Sequence, residues 1–274
     1  MLKKISVLSF AVFMIAMMIV ACSPKPYQST NKVYRKLTKS YTKQLLLQPG
    51  DPVNDTIVPP PYFVGTINFG IRKPNFVIIH HTAQNSCAET LKTFTTDTRA
   101  VSAHYVICKG GMVHHMLNDY FRAQHAGVSR WGNLIDVNSS SIGIELDNTG
   151  FEPFDSLQIN SLLSLLDYLK KTYNIPTANF IGHGDVAPTR KNDPSYRFPW
   201  KKLADHGFGL WYDDTREPVP AGFNAIQALR IVGYDVKDTT AAIRSFKRHF
   251  LQDTTRRLND LDRSVLYNLE KKYM

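Results

Sequence analysis

Seven of the nine histidines in this 274-residue chain fall at positions 80, 81, 104, 114, 115, 125 and 183. Imidazoles gathered in one region suit metal binding or proton transfer, and a hydrolytic zinc site needs three protein ligands with one position left for water. The HEXXH pattern is absent, so a helix-borne zinc pair is excluded and the ligands have to come from separate strand ends. One such end is Ile78-Ile79-His80-His81-Thr82. Neighbouring strand residues point to opposite faces, so His80 and His81 are not expected to hold the same ion. The other is Gly182-His183, followed by a proline-bent loop through Asp185, Pro188 and Pro194 that can return a carboxylate toward His183. Asp193 and Asp185 both qualify for that carboxylate.

Positioning these groups requires a sheet. Phe76 to Ile79 reads as a buried strand, and Leu91 to Thr96 as a short helix. His104–Ile107 and Met112–Met116 flank Lys109-Gly110-Gly111, a hairpin signal. Ile142–Leu146 and Asn179–Gly182 are further strands. Asp155 with Gln158 forms a capping-box pattern, and Leu162, Leu165, Leu166 and Leu169 then repeat at helical spacing. The expected fold is α/β, a central mixed β-sheet flanked by helices. After Glu217-Pro218-Val219-Pro220 the texture changes to three amphipathic helices, near 222–232, 239–250 and 260–272. His104 reads as structural, and His114 and His115 as strand surface. His125, in the loop Gln124-His125-Ala126-Gly127, reads as lining a substrate cleft.

Composition limits the function classes. The chain is 43% hydrophobic and 20% charged, which excludes a disordered chain and a multi-span membrane protein. Net charge is +10, but eight lysines and arginines precede residue 51 with no acid among them, leaving +2 for residues 51–274. Nucleic acid is not an expected partner, because a binding domain carries its basic footprint on its folded surface. Lys3 and Lys4 precede the apolar run Ile5–Ala21, which at 17 residues is short for a membrane-spanning helix of about 20. Ile19-Val20-Ala21-Cys22 resembles a bacterial lipobox, which implies lipidation of Cys22 and a membrane anchor. The expected organisation is a leader over 1–21, a basic tether over 22–61, the α/β domain over 62–215 and a helical domain over 216–274. Cys87 and Cys108 could bridge in an oxidising compartment, and two free thiols suit the sequence at least as well.

Five motifs in order carry a family resemblance: Ile-Ile-His80-His-Thr-Ala, Ser-Ala-His104-Tyr, Gln-His125-Ala-Gly, Ser-Ile-Gly-Ile-Glu145-Leu, and Gly-His183 through Lys191-Asn-Asp193-Pro. Together they resemble the type 2 N-acetylmuramoyl-L-alanine amidases, whose fold is shared with phage amidase-lysozymes and peptidoglycan recognition proteins. Gly233-Tyr234-Asp235-Val236 and Phe246 are similar to the helical peptidoglycan-binding module of the lipid-anchored bacterial members. The resemblance implies zinc held by His80, His183 and Asp193, where the recognition proteins have cysteine as last ligand. It also implies Glu145 as the residue handling the water proton and Lys191 as the oxyanion stabiliser. The expected reaction is cleavage of the amide between N-acetylmuramic acid and L-alanine, in the cell envelope on the periplasmic side of the outer membrane. Two other readings are a non-catalytic peptidoglycan-binding protein and a zinc peptidase cutting another stem-peptide amide. Cys22→Ser is expected to release the protein from the membrane fraction or leave its precursor uncleaved; fatty-acid labelling retained by the variant would refute this anchor.

Overall fold

The structure, a computed structural model, describes residues 25–46 and 71–273 in two units divided between Phe69 and Gly70. The expected leader and the expected lipidation site Cys22 lie outside the described residues. In the first unit, part of the expected tether is instead a helix, α1 (Gln28–Leu45). No Gly or Pro interrupts this stretch, and Val33, Leu37, Tyr41 and Leu45 recur every four residues.

The second unit is built on five strands, β1 (Phe76–His81), β2 (Tyr105–Ile107), β3 (Val113–His115), β4 (Ser141–Leu146) and β5 (Phe180–Gly182). Their order is β3-β2-β4-β1-β5, with β2, β4, β1 and β5 parallel and β3 antiparallel at one edge. β1 and β4 are central and covered on both faces, which is why they read as near-continuous apolar runs. Alternation still sorts their side chains. Val77, Ile79, Ile142, Ile144 and Leu146 pack into the larger core, whereas Ile78 joins Ala126, Val137, Ile181 and Val186 on the opposite face. His80 and Glu145 share that second parity. The β1–β4 register sets them directly opposite one another at the carboxyl end of the sheet, where open parallel sheets place their ligands.

Four helices surround the sheet: α2 (Cys87–Phe94), α3 (Val137–Ser140), α4 (Ser156–Tyr173) and the single turn α5 (His183–Val186). α4 buries Ile159, Leu162, Leu166 and Leu169 in the larger core, with Leu165 only partly buried. Asp155 caps it, accepting from the backbone N–H groups of Leu157 and Gln158. The expected return bond from Gln158 is replaced. Its buried amide donates to the carbonyls of Ile107 and Asp147 at 2.8 and 3.1 Å, tying the helix to the ends of β2 and β4. Cys87 and Cys108 are bonded, with Cα atoms 5.3 Å apart. Of the two alternatives the sequence left open, the bridge is the one found: residues 21 apart in sequence meet because α2 packs on β2.

Beyond α6 (Trp200–Asp205), the helices α7 (Ala225–Val232), α8 (Thr239–Leu251) and α9 (Asp260–Tyr273) enclose a second core of Leu229, Phe246, Phe250, Val265, Leu266 and Leu269. Asp238 caps α8 and Gly233, at φ 132°, closes α7. Trp211 packs against both cores, and residues 70–274 form one compact unit, so the boundary near residue 216 separates two cores within a single body. Leu166→Ala is expected to lower unfolding free energy by about 2–5 kcal/mol, because Leu166 is fully buried between α4 and the sheet. Urea denaturation checks this.

Candidate active site and metal centre

Three ligand-type atoms converge at the carboxyl end of the sheet. His80 Nδ1 lies 2.9 Å from His183 Nδ1 and 3.1 Å from Asp193 Oδ2, and the last two are 2.9 Å apart. His80 is the penultimate residue of β1, His183 opens α5 immediately after β5, and Asp193 returns on the loop between α5 and α6. All three side chains are buried. Asp185, the competing carboxylate, is directed elsewhere, toward the C-terminal helices.

The surrounding hydrogen bonds assign the protons. Ser141 Oγ lies 2.6 Å from the carbonyl of Val137, which can only accept, so the hydroxyl proton points there. Ser141 Oγ then accepts from His125 Nε2 at 3.1 Å, leaving His125 Nδ1 to accept from His80 Nε2 at 3.1 Å. The lone pair of His80 is therefore on Nδ1. His183 Nε2 likewise faces the carbonyl of Ala126 at 3.1 Å, so its lone pair is also on Nδ1. With both rings neutral, as metal ligands must be, two unprotonated nitrogens and a carboxylate oxygen face one another with no proton between them. A cation is what such a set accommodates. Tetrahedral zinc with bonds of 2.0–2.2 Å separates neighbouring ligand atoms by about 3.3 Å, close to the distances here.

Electrostatics agree. Burial, and next the nearby His183, hold the His80 pKa down to about 4, so its imidazole is neutral as a metal ligand must be. Burial, reinforced by the charge of Asp193 and opposed by Lys191, pushes Glu145 up to about 8. Glu145 Oε1 lies 3.9 Å from His80 Nδ1, and its Oε2 is buried without a hydrogen-bond partner. An unpartnered buried carboxylate oxygen beside a ligand cluster suits a proton acceptor. Lys191 lines the same cavity of about 310 Å³, with His80, His125, Glu145, His183 and Asp193. A wider, open groove of about 650 Å³ near Phe223, Arg256 and Arg263 is lined by no histidine or carboxylate.

The structure brings together His80, Glu145, His183, Lys191 and Asp193. It places His125 at the same cavity, as read in the sequence, and adds ring contacts that the sequence did not show. His125 borders the cavity, but both its ring nitrogens are committed, to His80 and to Ser141. Its partner Ser141 was missed, although Gly143 carried a signal: a glycine inside a strand marks a close approach. A Cβ there would lie 2.5 Å from the His125 ring. Arg190 was also missed; it donates to the carbonyls of Ala126 and Val128, joining the His125 loop to the loop that carries Lys191 and Asp193. His104 is structural, its Nδ1 accepting from Gly143 N–H and its Nε2 bonded to the Phe121 carbonyl. His115 is exposed, stacked on Tyr105.

Sheet and site together define an α/β protein of hydrolase type with a His-His-Asp ligand set. The N-acetylmuramoyl-L-alanine amidase family profile matches residues 71–196. The amidase AmiD of Escherichia coli K12 is 32% identical over 207 residues, covering 64% of this chain and 74% of that one. Among solved structures, E. coli AmiD in complex with anhydro-N-acetylmuramic acid-L-Ala-D-γ-Glu-L-Lys superposes with TM-score 0.67 at 28% identity, covering 78% of this chain and 96% of that chain. AmpDh3 of Pseudomonas aeruginosa, in complex with an anhydromuramic pentapeptide, gives TM-score 0.68 at 29% identity, over 79% and 98%. The chain belongs to the N-acetylmuramoyl-L-alanine amidase family.

His125→Phe keeps the ring but removes both nitrogens, so His80 Nε2–H loses its acceptor. Zinc affinity, read by chelator competition, is expected to fall about 10–100-fold. A variant that keeps wild-type zinc affinity and changes only KM would return His125 to substrate binding.

Proposed function

We propose that this chain hydrolyses the amide joining N-acetylmuramic acid to the L-alanine of the stem peptide, with zinc held by His80, His183 and Asp193. The observation that carries the reading is the meeting of three proton-free donor atoms within 3.1 Å, beside the unpaired oxygen of Glu145. A zinc ion there would supply a Lewis acid and make water acidic enough to attack near neutral pH. Glu145 accepts the proton of the attacking water and delivers it to the departing amine of L-alanine. Its burial would keep it protonated up to about pH 8, so positive charge in the ligand cluster is needed to hold it as a base at neutral pH. Lys191 places its charge in the same cavity, against the oxygen that turns negative as the amide carbon becomes tetrahedral. His80 and Asp193 keep their orientation throughout, because His125 and the backbone of Gly184 hold them.

The substrates in the two relatives' complexes support a muropeptide ligand for this cavity. A complete ligand set with a base and a cation beside it favours catalysis over simple recognition of cell wall. The lipobox-like Ile19–Cys22 supports a lipid anchor, which would hold the enzyme in the envelope facing peptidoglycan.

Mass analysis of products from purified peptidoglycan is expected to show free stem peptides beginning at L-alanine, together with unsubstituted muramic acid. Products cut within the stem would make the protein a peptidase, and none at all a binding protein. Glu145→Gln is expected to retain zinc and lose about 10²–10⁴-fold in kcat; turnover within about threefold of wild type would make Glu145 structural. Asp193→Ala is expected to lose its zinc, as metal analysis of the untagged protein will show.

A further inference from the structure

A second buried polar cluster stands directly behind the ligands, at the junction with the C-terminal helices. Asp185 follows His183 by two residues and is 3% exposed. Its Oδ2 accepts from the backbone N–H of Gly182 at 2.9 Å and lies 2.7 Å from His249 Nδ1. Its Oδ1 accepts from the Tyr234 hydroxyl at 3.1 Å. Ser245 Oγ lies 3.0 Å from the same Oδ1 and 2.7 Å from the carbonyl of Gly184, and it accepts from Arg248 Nη2 at 2.9 Å. His249 stacks on Trp200 with ring centroids 3.9 Å apart.

This cluster reaches the ligands through the backbone. The N–H of Gly184 donates to the main-chain carbonyl of Asp193 at 2.6 Å, while the carbonyl of Gly184 meets Ser245. A single residue therefore separates Ser245 of α8 from the peptide of one ligand, and the same residue is bonded covalently to the other ligand, His183. A Cβ on Gly184 would lie 2.3 Å from Arg248 Nη2, so a side chain there would displace the guanidinium. Covering an apolar flank does not require any of these groups. Burying a carboxylate and a guanidinium carries a desolvation penalty, offset only when the groups are paired in good geometry. What such a network adds is placement, and metal ligands tolerate errors of only about 0.2 Å.

We propose that α8 and Tyr234 are a positioning shell of the metal centre. Through Asp185 and Ser245 they hold the backbone from Gly182 to Gly184, so that His183 and Asp193 present their donor atoms together. The helical module is then part of what makes the site bind metal, and not only an attachment for cell wall. This rests on the reading of His80, His183 and Asp193 as zinc ligands.

The test uses the full mature chain carrying Tyr234→Phe together with Ser245→Ala, which removes two hydroxyls and no carbon and leaves Asp185 Oδ1 without a donor. Zinc affinity is measured by chelator competition, alongside the Tm of the metal-free protein and kcat and KM on a soluble muropeptide. Zinc affinity is expected to fall about 10–100-fold, with kcat restored by excess zinc and KM little changed. Leu269→Ala, in the module's own core, is expected to lower Tm while leaving zinc affinity as in wild type. Zinc affinity of the double variant within about twofold of wild type, whether or not Tm falls, overturns the proposal. An equal loss of affinity in Leu269→Ala overturns it too, since general loosening would then account for both. Tyr234→Phe alone is read the same way if the double variant does not fold. A wild-type chain that takes up no zinc would sink the ligand reading itself, and is seen before any variant is compared.

Discussion

Two imidazole lone pairs and a carboxylate oxygen repel one another at 3 Å, and much of the polar construction of this protein serves to hold them there. No proton separates them, because each imidazole has its one N–H engaged on the far side. The chain from Val137 through Ser141 and His125 to His80 is an orientation device: a carbonyl at one end, able only to accept, decides which nitrogen is bare at the other. The bare nitrogens and the carboxylate together form a cation site whose electrostatic cost is relieved by occupancy.

Backbone geometry makes that arrangement possible. Parallel pairing of β1 with β4 puts His80 opposite Glu145, and alternation along each strand sends both to the same face. β5 then delivers His183 beside them at the same end of the sheet. Glycine appears where rings or guanidinium groups must come closer than a side chain allows. Gly143 admits the ring of His125, and Gly184 admits Arg248. The cavity is thus a property of strand register and a few missing methyl groups, with burial supplying the shifts that keep His80 neutral and raise the affinity of Glu145 for a proton.

The helical module changes meaning in this light. Its sequence reads as a helical domain of its own, similar to peptidoglycan-binding modules. In the fold His249, Ser245, Arg248 and Tyr234 close over Asp185, two residues from the proposed ligand His183. A carboxylate that competes for the ligand role on sequence grounds is instead one of the places where the two cores are joined by hydrogen bonds.

The chain by itself determined most of the element order, because strand alternation, leucine spacing and cap residues are local signals that act within one segment. It also determined the identities of the candidate ligands and base, through five motifs whose residue types suit zinc hydrolysis. The tertiary structure decided whatever depends on side chains from distant segments meeting. Residues 28–45 form a helix where the basic composition suggested a tether. Cys87 is bonded to Cys108, Gln158 reaches across to β2 and β4 instead of back to its own cap, and His125 turns behind His80 with both nitrogens occupied. Pairings of this kind depend on distances in space between residues far apart in the chain, and a linear pattern carries periodicity and residue type but not those distances.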